Sequence, residues 1–376
     1  MQMLTLVGNG WHPWLFREES KSLMGEIEVL HPRVVNISLQ ENTHSRISRA
    51  ALIDDVLENP ASLTITEDVT SSQIGEAISE WSAEFMEPGT FAVRSRSIGI
   101  GIDGVSSKDI EKEAGARISS KNNIVDLGDP EIEISVVIAG RTEGEAHPDP
   151  LVDVSPIVVW GIRNPDWERE NYSGRSPTDR PFFKPVSLEP RQARLLISLG
   201  YRPGREIREV VDPFCGTGGI VIEAALQGLG VLASDLDSRM VDGTRENLDW
   251  VGADYRVEKC NASEIGSTWG RRSDCVFAFD PPYGRSSWKS EDGLDLFLSA
   301  LSSAREVDPE GVISTMLPTG PEVLSQNLEE EFIVMGKKWS ELEDLIAQRG
   351  WRVVLKSPIK VHRSLARMVI VCHPSD

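Results

Sequence analysis

Cationic side chains are scarce in this chain. Its 376 residues include 39 Lys and Arg against 59 Asp and Glu, which gives a formal net charge of −20 at pH 7. Neither half of the sequence has an excess of Lys and Arg. Nucleic-acid binders usually carry a basic balance or a basic face. The composition therefore limits any RNA-binding surface to a local patch on an acidic protein, and it is equally compatible with a protein that binds no RNA.

Cysteine is rare, and long apolar runs are absent. The four cysteines form no CxxC pair, which argues against a zinc module or a disulfide framework and predicts small buried thiols. No apolar run approaches the roughly 18 residues of a membrane span. The first ten residues also lack the basic region and the long apolar core of a signal peptide. We therefore expect a cytoplasmic protein that uses no membrane.

Prolines and polar residues are concentrated in the segment Glu143–Arg180, which favours a linker. The chain is long enough for two or three domains. We place an N-terminal α+β region at residues 1–155, a linker at 156–177 and a second domain at 178–376. Within the linker, Pro156–Trp160 is still compatible with a short strand.

In the second domain, predicted strands and helices alternate. Strands are predicted at Glu209–Val211, Gly230–Ser234, Asp274–Phe279, Gly311–Leu317, Trp351–Lys356 and Ala366–Cys372. Helices are predicted at Glu189–Leu199, Gly219–Gln227, Ser238–Val251, Leu294–Ala304 and Ser340–Arg349. Such alternation predicts an α/β fold with a mostly parallel, doubly wound sheet. The last two strands lie too close together for a helical crossover, so we expect them to form an antiparallel hairpin.

The first half has the pattern of an α+β domain. Helices are expected at Ala50–Leu57, Ser72–Phe85 and Ser107–Ser119, the last with Ser106 or Ser107 as its N-cap. Strands are expected at Thr90–Arg94 and at Ile132–Ile138, where apolar and polar residues alternate before an apolar run.

A glycine-rich turn, VVDPFCGTGG at Val210–Gly219, links a strand end to a helix. Glycine allows the backbone to bend at positive φ and to approach a ligand closely. The pyrophosphate fingerprint GxGxxG and the P-loop motif are both absent. Asp212 on this turn would repel a phosphate and suits a cationic or hydroxyl-bearing ligand better.

The next strand ends in Ser234–Asp237, SDLD. A carboxylate at the tip of the second strand is the usual partner of a ribose diol, so the turn and Asp235 together indicate a nucleoside cofactor. Asp237 is better explained as the N-cap of the following helix. After the third strand, Asn261 and Ala262 are candidates for the adenine edge, although a plain loop explains them about as well.

The motif DPPYG, Asp280–Gly284, follows the apolar strand CVFAF. Two prolines remove two backbone donors and leave carbonyl acceptors. The Asp280 carboxylate and the Pro281 carbonyl can accept the two hydrogens of an exocyclic amine. Tyr283 offers a flat face for a base that has been flipped from its stack.

Here the sequence resembles a known family. The order of DPFCGTGG, SDLD and DPPYG is similar to that of Rossmann-like, S-adenosyl-L-methionine-dependent amino-methyltransferases. With FFKPVSLEPRQAR at Phe182–Arg194 and VHRSLAR at Val361–Arg367, the chain resembles the archaeal tRNA (guanine-10, N2)-methyltransferase family. Members of that family carry an N-terminal THUMP domain that binds the tRNA acceptor region. Phe91–Arg94 and Val125–Ile138 are similar to parts of such a domain, which we place at about residues 50–155.

The resemblance implies a Rossmann-like methyltransferase domain that follows a THUMP-like region and methylates the exocyclic N2 amine of guanine in tRNA once or twice. It implies S-adenosyl-L-methionine as cofactor and tRNA as partner. We expect no metal, because the sulfonium of this cofactor is a strong electrophile, and we expect a monomer. The expected catalytic residues are Asp280, Pro281 and Tyr283. The expected cofactor-binding residues are Asp212, Phe214, Gly216, Gly218, Asp235, Asn261 and Ala262. The expected substrate-binding residues are Phe183, Lys184, Arg285, His362 and Arg363, with Phe182 as a further pocket candidate or a core aromatic.

Three alternatives stay open. A related family methylates guanine-6 of tRNA, and Asp280 favours guanine-10 because that family typically has NPPYG. A non-catalytic RNA-binding protein would use the same fold only to dock RNA. An enzyme acting on adenine N6 or cytosine N4 of DNA would meet a similar amine, and an RNA-binding N-terminal module argues against it.

Overall fold

Two mixed sheets organise the chain. The computed structural model describes residues 2–66, 68–142, 148–151, 154–185, 187–282 and 291–375. The chain divides into two units, one formed by Met1–Ser48 with Leu52–Arg169 and the other by Arg49–Ala51 with Glu170–Asp376. No helix among the described residues is long and apolar enough to cross a membrane.

The first unit contains eight strands and four helices among its described residues. In chain order these are β1 (Met3–Gly8), α1 (Pro13–Met24), β2 (Glu28–His31), β3 (Val34–Ser38), α2 (Thr43–Ile47), β4 (Ile53–Thr64), α3 (Ser71–Phe85), β5 (Thr90–Ile98), α4 (Ser107–Ser119), β6 (Ile124–Val125), β7 (Ile132–Ala139) and β8 (Ile157–Arg163). The sheet order is β2-β3-β1-β4-β8-β7-β5-β6. Strands β5, β6 and β7 are parallel, whereas the other pairs are antiparallel.

Helices α3 and α4 bury their apolar stripes against the sheet. Ile110, Ala114 and Ile118 are fully buried, as the predicted helical spacing requires, and they share a core with Phe91 and Ile134 of the sheet. Helix α3 begins with a capping box between Thr70 and Gln73, and α4 begins with the predicted Ser106 cap. The predictions of α3, α4, β5 and β7 are therefore confirmed.

The helix predicted at Ala50–Leu57 is wrong. Most of that segment belongs to β4, which pairs with β1 on one side and β8 on the other. The strand tolerates a proline because its pairing shifts between Glu58 and Ala61, where Asn59 has a φ of 48°. Local composition favoured a helix, but pairing on both edges decides the conformation.

Residues 156–177 do not form the predicted linker throughout. Residues 157–163 form β8, which lies between β4 and β7 and realises the short strand that the sequence allowed. Further along, Arg175 donates to the fully buried Glu223, which Arg194 also approaches. Burial raises the pKa of Glu223, and the two arginines oppose that rise. The domain limits as a whole remain a prediction.

The second unit contains nine strands and six helices among its described residues. They are α5 (Pro190–Leu199), β9 (Glu209–Asp212), α6 (Gly219–Leu226), β10 (Gly230–Asp235), α7 (Ser238–Trp250), β11 (Arg256–Lys259), α8 (Ile265–Trp269), β12 (Cys275–Phe279), α9 (Glu291–Val307), β13 (Val312–Thr319), β14 (Ile333–Val334), β15 (Lys337–Lys338), α10 (Trp339–Ala347), β16 (Trp351–His362) and β17 (Leu365–Pro374). The strands and helices predicted for this unit are confirmed within about three residues at their ends, except that β16 continues six residues beyond the predicted end at Lys356.

The main sheet runs β11-β10-β9-β12-β13-β17-β16. Its first five strands are parallel, and β17 is antiparallel to both β13 and β16. The predicted terminal hairpin is thus confirmed, with a turn only at Arg363 and Ser364. Helices α9 and α10 cover one face, where Phe277 and Trp351 are fully buried. All four cysteines are buried and free, as predicted.

Candidate active site

The sheet of the second unit reverses its strand order between β9 and β12. From β9 the chain moves outward through β10 to β11, then returns to β12 on the other side and continues to β13. In open α/β sheets, ligands bind beyond the carboxyl ends of the strands at such a switch point. Asp212 ends β9 and Asp280 directly follows β12. The sequence motifs therefore meet at the position where this type of sheet forms its site.

The turn after β9 is held closely by its neighbours. Gly216 and Gly218 have φ values of 53° and 78°, in the left-handed region that favours glycine. The Cys215 amide donates to the Ser234 carbonyl over 2.9 Å, and the Thr244 hydroxyl donates to the Gly216 carbonyl over 2.9 Å. The turn is thus fixed to β10 and α7, with its backbone at the sheet edge.

Asp235 is fixed by two backbone amides. Gly216 donates to its Oδ2 over 3.0 Å, and Asp237 donates to its Oδ1 over 2.9 Å. The neighbouring Asp237 caps α7 by accepting from the Arg239 amide over 2.9 Å, as predicted. The structure therefore separates the two acids: Asp235 faces the glycine turn, whereas Asp237 stabilises a helix end.

Asp212 is a buried carboxyl group at the centre of the site. Only 2% of the residue is exposed, and its Oδ1 accepts the Phe214 amide over 2.9 Å. Burial raises the pKa of Asp212 well above its ordinary value, and the charges of Asp235 and Asp280 raise it further. Asp235 and Asp280 are thus both within electrostatic range of the buried Asp212.

Asp280 is held by an arginine from another strand. Nη1 of Arg367 on β17 lies 2.9 Å from Oδ2 of Asp280, and the two side chains are 11% and 15% exposed. Burial raises the pKa of Asp280 to about 6, while the Arg367 charge opposes the rise. Pro281 is buried and Pro282 is exposed. Tyr283 and Arg285 lie outside the described residues.

Hydrogen bonds from Asn247 connect the segment before α5 to the glycine turn. The Asn247 side chain on α7 accepts the Phe182 amide over 2.9 Å and donates to the carbonyls of Phe182 and Thr217 over 2.6 and 2.8 Å. The Phe182 ring packs so closely on Gly243 that a Cβ there would lie 2.0 Å from a ring carbon. Phe182 is therefore a packing residue of this segment. Phe183, by contrast, is 48% exposed.

The remaining candidates are spread around this edge. The ammonium of Lys184 lies 5.5 Å from the Phe182 ring centroid. His362 and Arg363 are exposed at the tip of the terminal hairpin.

Two cofactor candidates follow β11, and a third lies after β9. Asn261 caps the short 3-10 helix Ala262–Glu264, in which Ala262 is buried. The Phe214 ring packs 5.5 Å from the Phe279 ring centroid, so its side chain belongs partly to the core.

Two residues of the candidate site, Asn247 and Arg367, were not predicted from the sequence. Asn247 stands in the middle of a helix, where no local pattern distinguishes it from a solvent-facing polar residue. Arg367 is the last residue of VHRSLAR, but only the folded sheet brings it to Asp280. Within the described ranges, no three His, Cys, Asp or Glu side chains come together as a metal site.

Comparisons with known proteins match a segment of each unit to a family model. Residues 177–355 match the family model of the RMKL-like methyltransferase domain, and residues 70–142 match that of the THUMP domain. The chain is 32% identical to the tRNA (guanine(10)-N2)-dimethyltransferase of Methanothermobacter thermautotrophicus, over 78% of this chain and 75% of that protein.

The chain is also 32% identical to the tRNA (guanine(10)-N2)-dimethyltransferase of Pyrococcus abyssi, over 74% of this chain and 72% of that protein. Among solved structures, TrmN from Thermus thermophilus aligns over 100% of both chains with a TM-score of 0.48 and 20% identity. On the strength of the two archaeal relatives, the chain belongs to the tRNA (guanine(10)-N2)-dimethyltransferase family.

Proposed function

We propose that this protein transfers methyl groups from S-adenosyl-L-methionine to the exocyclic N2 amine of guanosine 10 in tRNA, giving the mono- or dimethylated base. The observation that carries the proposal is the Asp280 carboxylate, fixed beyond β12 at the switch point of the sheet beside the glycine turn. The names of the archaeal relatives support the base, the atom and the position. We propose the cytoplasm as its location because its substrate is tRNA.

The residues at the glycine turn fit this cofactor. Two glycines at positive φ bring the backbone close to a ligand, and the carboxyl groups of Asp212 and Asp235 border the turn. Carboxylates repel phosphates but attract the ammonium and sulfonium charges of S-adenosyl-L-methionine. Asp235 would accept the ribose hydroxyls, and Asn261 and Ala262 would border the adenine. When bound, the cofactor supplies an electrophilic methyl group.

Asp280 and Pro281 would position the amine. The N2 lone pair of guanine is delocalised into the ring, so catalysis depends mainly on alignment with the methyl group. The ionised Asp280 carboxylate and the Pro281 carbonyl would accept the two N–H groups. The same carboxylate would stabilise the positive charge that develops on nitrogen during transfer. Tyr283 would stack on the base, a role that rests on the DPPYG sequence alone.

An exposed group of arginines in the first unit supports tRNA binding by a protein with a net charge of −20. Arg96 and Arg163 both approach the carboxylate of Asp55, with N–O distances of 3.4 and 3.6 Å, and Arg94 lies 3.1 Å from Glu133. The three arginine side chains are 38–48% exposed. The acids orient the guanidinium groups while leaving them accessible to phosphates. In the second unit, Lys184, His362 and Arg363 are further phosphate contacts, and the half-exposed Phe183 would contact the base.

The test uses two tRNA transcripts that differ by a single amine. One carries guanosine at position 10, and the other carries inosine, which lacks the N2 amine. With labelled S-adenosyl-L-methionine, nucleoside mass spectrometry should find N2-methylguanosine or N2,N2-dimethylguanosine from the first transcript and no label from the second. Equal labelling of the two transcripts would shift the site elsewhere, for example to guanine-6. Cofactor binding without labelling of any tRNA would favour a non-catalytic RNA-binding protein.

A further inference from the structure

The Asp280–Arg367 ion pair joins two strands that are not neighbours. β13 lies between β12 and β17, so the Arg367 side chain reaches across β13 to the carboxylate beyond β12. In the sheet register, Arg367 is paired with Pro318. The Nη1–Oδ2 distance is 2.9 Å, and both side chains are largely shielded from water. An ion pair in such surroundings is weakly screened and restricts the rotation of both groups.

The charges next to Asp280 come from two further strands. Asp212, at the end of β9, is acidic and interacts electrostatically with Asp280, whereas Arg367 on β17 contributes a positive charge. Burial is the main cause that raises the pKa of Asp280 to about 6, and the arginine is the group that lowers it. Arg367 therefore favours the carboxylate over the neutral acid. A neutral acid would present a proton where an amine needs an acceptor.

We propose that Arg367 is a positioning residue for Asp280, which orients the amine-binding carboxylate and keeps it an acceptor for the target base. The proposal rests on the proposed function, because it presumes that Asp280 binds the amine. Arg367 does not touch the cofactor or the base in this role. Arg367 acts only through the carboxylate. Its loss should therefore change kcat and the pH dependence of kcat, but not the affinity for the cofactor.

The experiment compares Arg367→Met, Arg367→Lys and a control, Arg352→Met, in the full chain. Arg352 is an exposed arginine on the adjacent strand β16. Single-turnover methylation of tRNA is measured from pH 5 to 8.5, and S-adenosyl-L-methionine affinity is measured by calorimetry. Arg367→Met should lower the pH 7 rate roughly tenfold through lost alignment. The acid limb of its pH–rate profile, where the rate falls as the pH is lowered, should move up by about one pH unit. This is the usual effect of losing an arginine beside a carboxylate.

Arg367→Lys keeps the charge but loses the planar guanidinium fork, so its acid limb should stay near that of the wild type while its rate is intermediate. All three variants should bind the cofactor within about twofold of the wild type. A folded Arg367→Met protein with an unchanged rate and an unchanged acid limb would overturn the proposal. If Arg367→Met does not fold, the lysine variant decides. A fully wild-type rate of Arg367→Lys at every pH would show that the guanidinium geometry does not position Asp280, and would overturn the proposal.

Failure of the proposed function would look different. In that case Asp280→Asn would itself leave the methylation rate unchanged, whatever happens at Arg367. If Asp280→Asn abolishes turnover and Arg367→Met changes nothing, only the positioning role of Arg367 is lost.

Discussion

The pH dependence of methyl transfer should follow the ionisation of Asp280. Burial raises the pKa of this carboxyl group to about 6, above its ordinary value of 3.8. Because the carboxylate is the form proposed to accept the amine, activity should be present above this pKa and lost as the pH falls through it. With a pKa of about 6, roughly 90% of the protein carries the carboxylate at pH 7 and roughly 10% at pH 5. The single-turnover rate should therefore drop about tenfold between these values.

The variant Asp280→Asn separates this effect from acid denaturation. It keeps the size of the side chain but removes the charge, so it should lower turnover roughly 100- to 1,000-fold, as for other lost electrostatic contacts to a transition state. Cofactor affinity should stay within about threefold, since Asp280 is not proposed to hold the cofactor. The residual activity of the variant should also lack the acid limb near pH 6. Rapid-quench methylation of tRNA with labelled cofactor, alongside circular dichroism at each pH, provides the measurement.

Two results would contradict this reasoning. If the wild-type rate is flat from pH 5 to 7, the carboxylate is either ionised throughout or not needed. If Asp280→Asn keeps the same acid limb, another group titrates there, and Asp212 is the nearest candidate because its pKa is also raised by burial.

Two further predictions concern the cofactor and the tRNA. Asp235→Ala should weaken S-adenosyl-L-methionine binding by about 1.5–3 kcal/mol through lost charged hydrogen bonds, whereas Asp237→Ala, which removes only a helix cap, should leave affinity unchanged. Equal affinities of the two variants in calorimetry would remove Asp235 from the cofactor site. The double variant Arg96→Gln/Arg163→Gln should weaken tRNA binding roughly tenfold and flatten its dependence on salt, because two phosphate contacts are lost. The measurement is filter binding across a salt series, with Lys108→Gln as the control because Lys108 is also exposed. An equal loss of affinity in the control would contradict this surface as the tRNA-binding site.

The sheet of the second unit was predictable from local patterns. Apolar strands alternating with helices left few possible topologies, and the short spacing of the last two strands required a hairpin. Part of the candidate site was also predictable from local sequence, because an acid and two glycines within one turn after a strand indicate a ligand-binding turn. Membership in the family, inferred from the order of these motifs, is confirmed.

The first unit was less predictable, for a physical reason. Residues 50–57 contain two alanines and two leucines, which form helices readily, yet β4 pairs with β1 and β8. Residues 157–163 follow a proline-rich stretch, yet they occupy the middle of the sheet. In both segments the partner strands lie far away in the sequence, and pairing with them outweighs the weak intrinsic preference of a short segment.

By itself, the sequence indicated the candidate residues for the chemistry: Asp235 at a strand tip, Asp280 before two prolines, and glycines where the backbone turns at positive φ. Their types and local spacing restrict the backbone directly. Only the tertiary structure decided how these groups behave. Burial raises the pKa of Asp280, and Arg367, which lies on β17 and 87 positions further along the chain, reaches the same carboxylate. Solvent exclusion and charge pairing depend on distances in space, and a sequence pattern does not encode those distances until the sheet has formed.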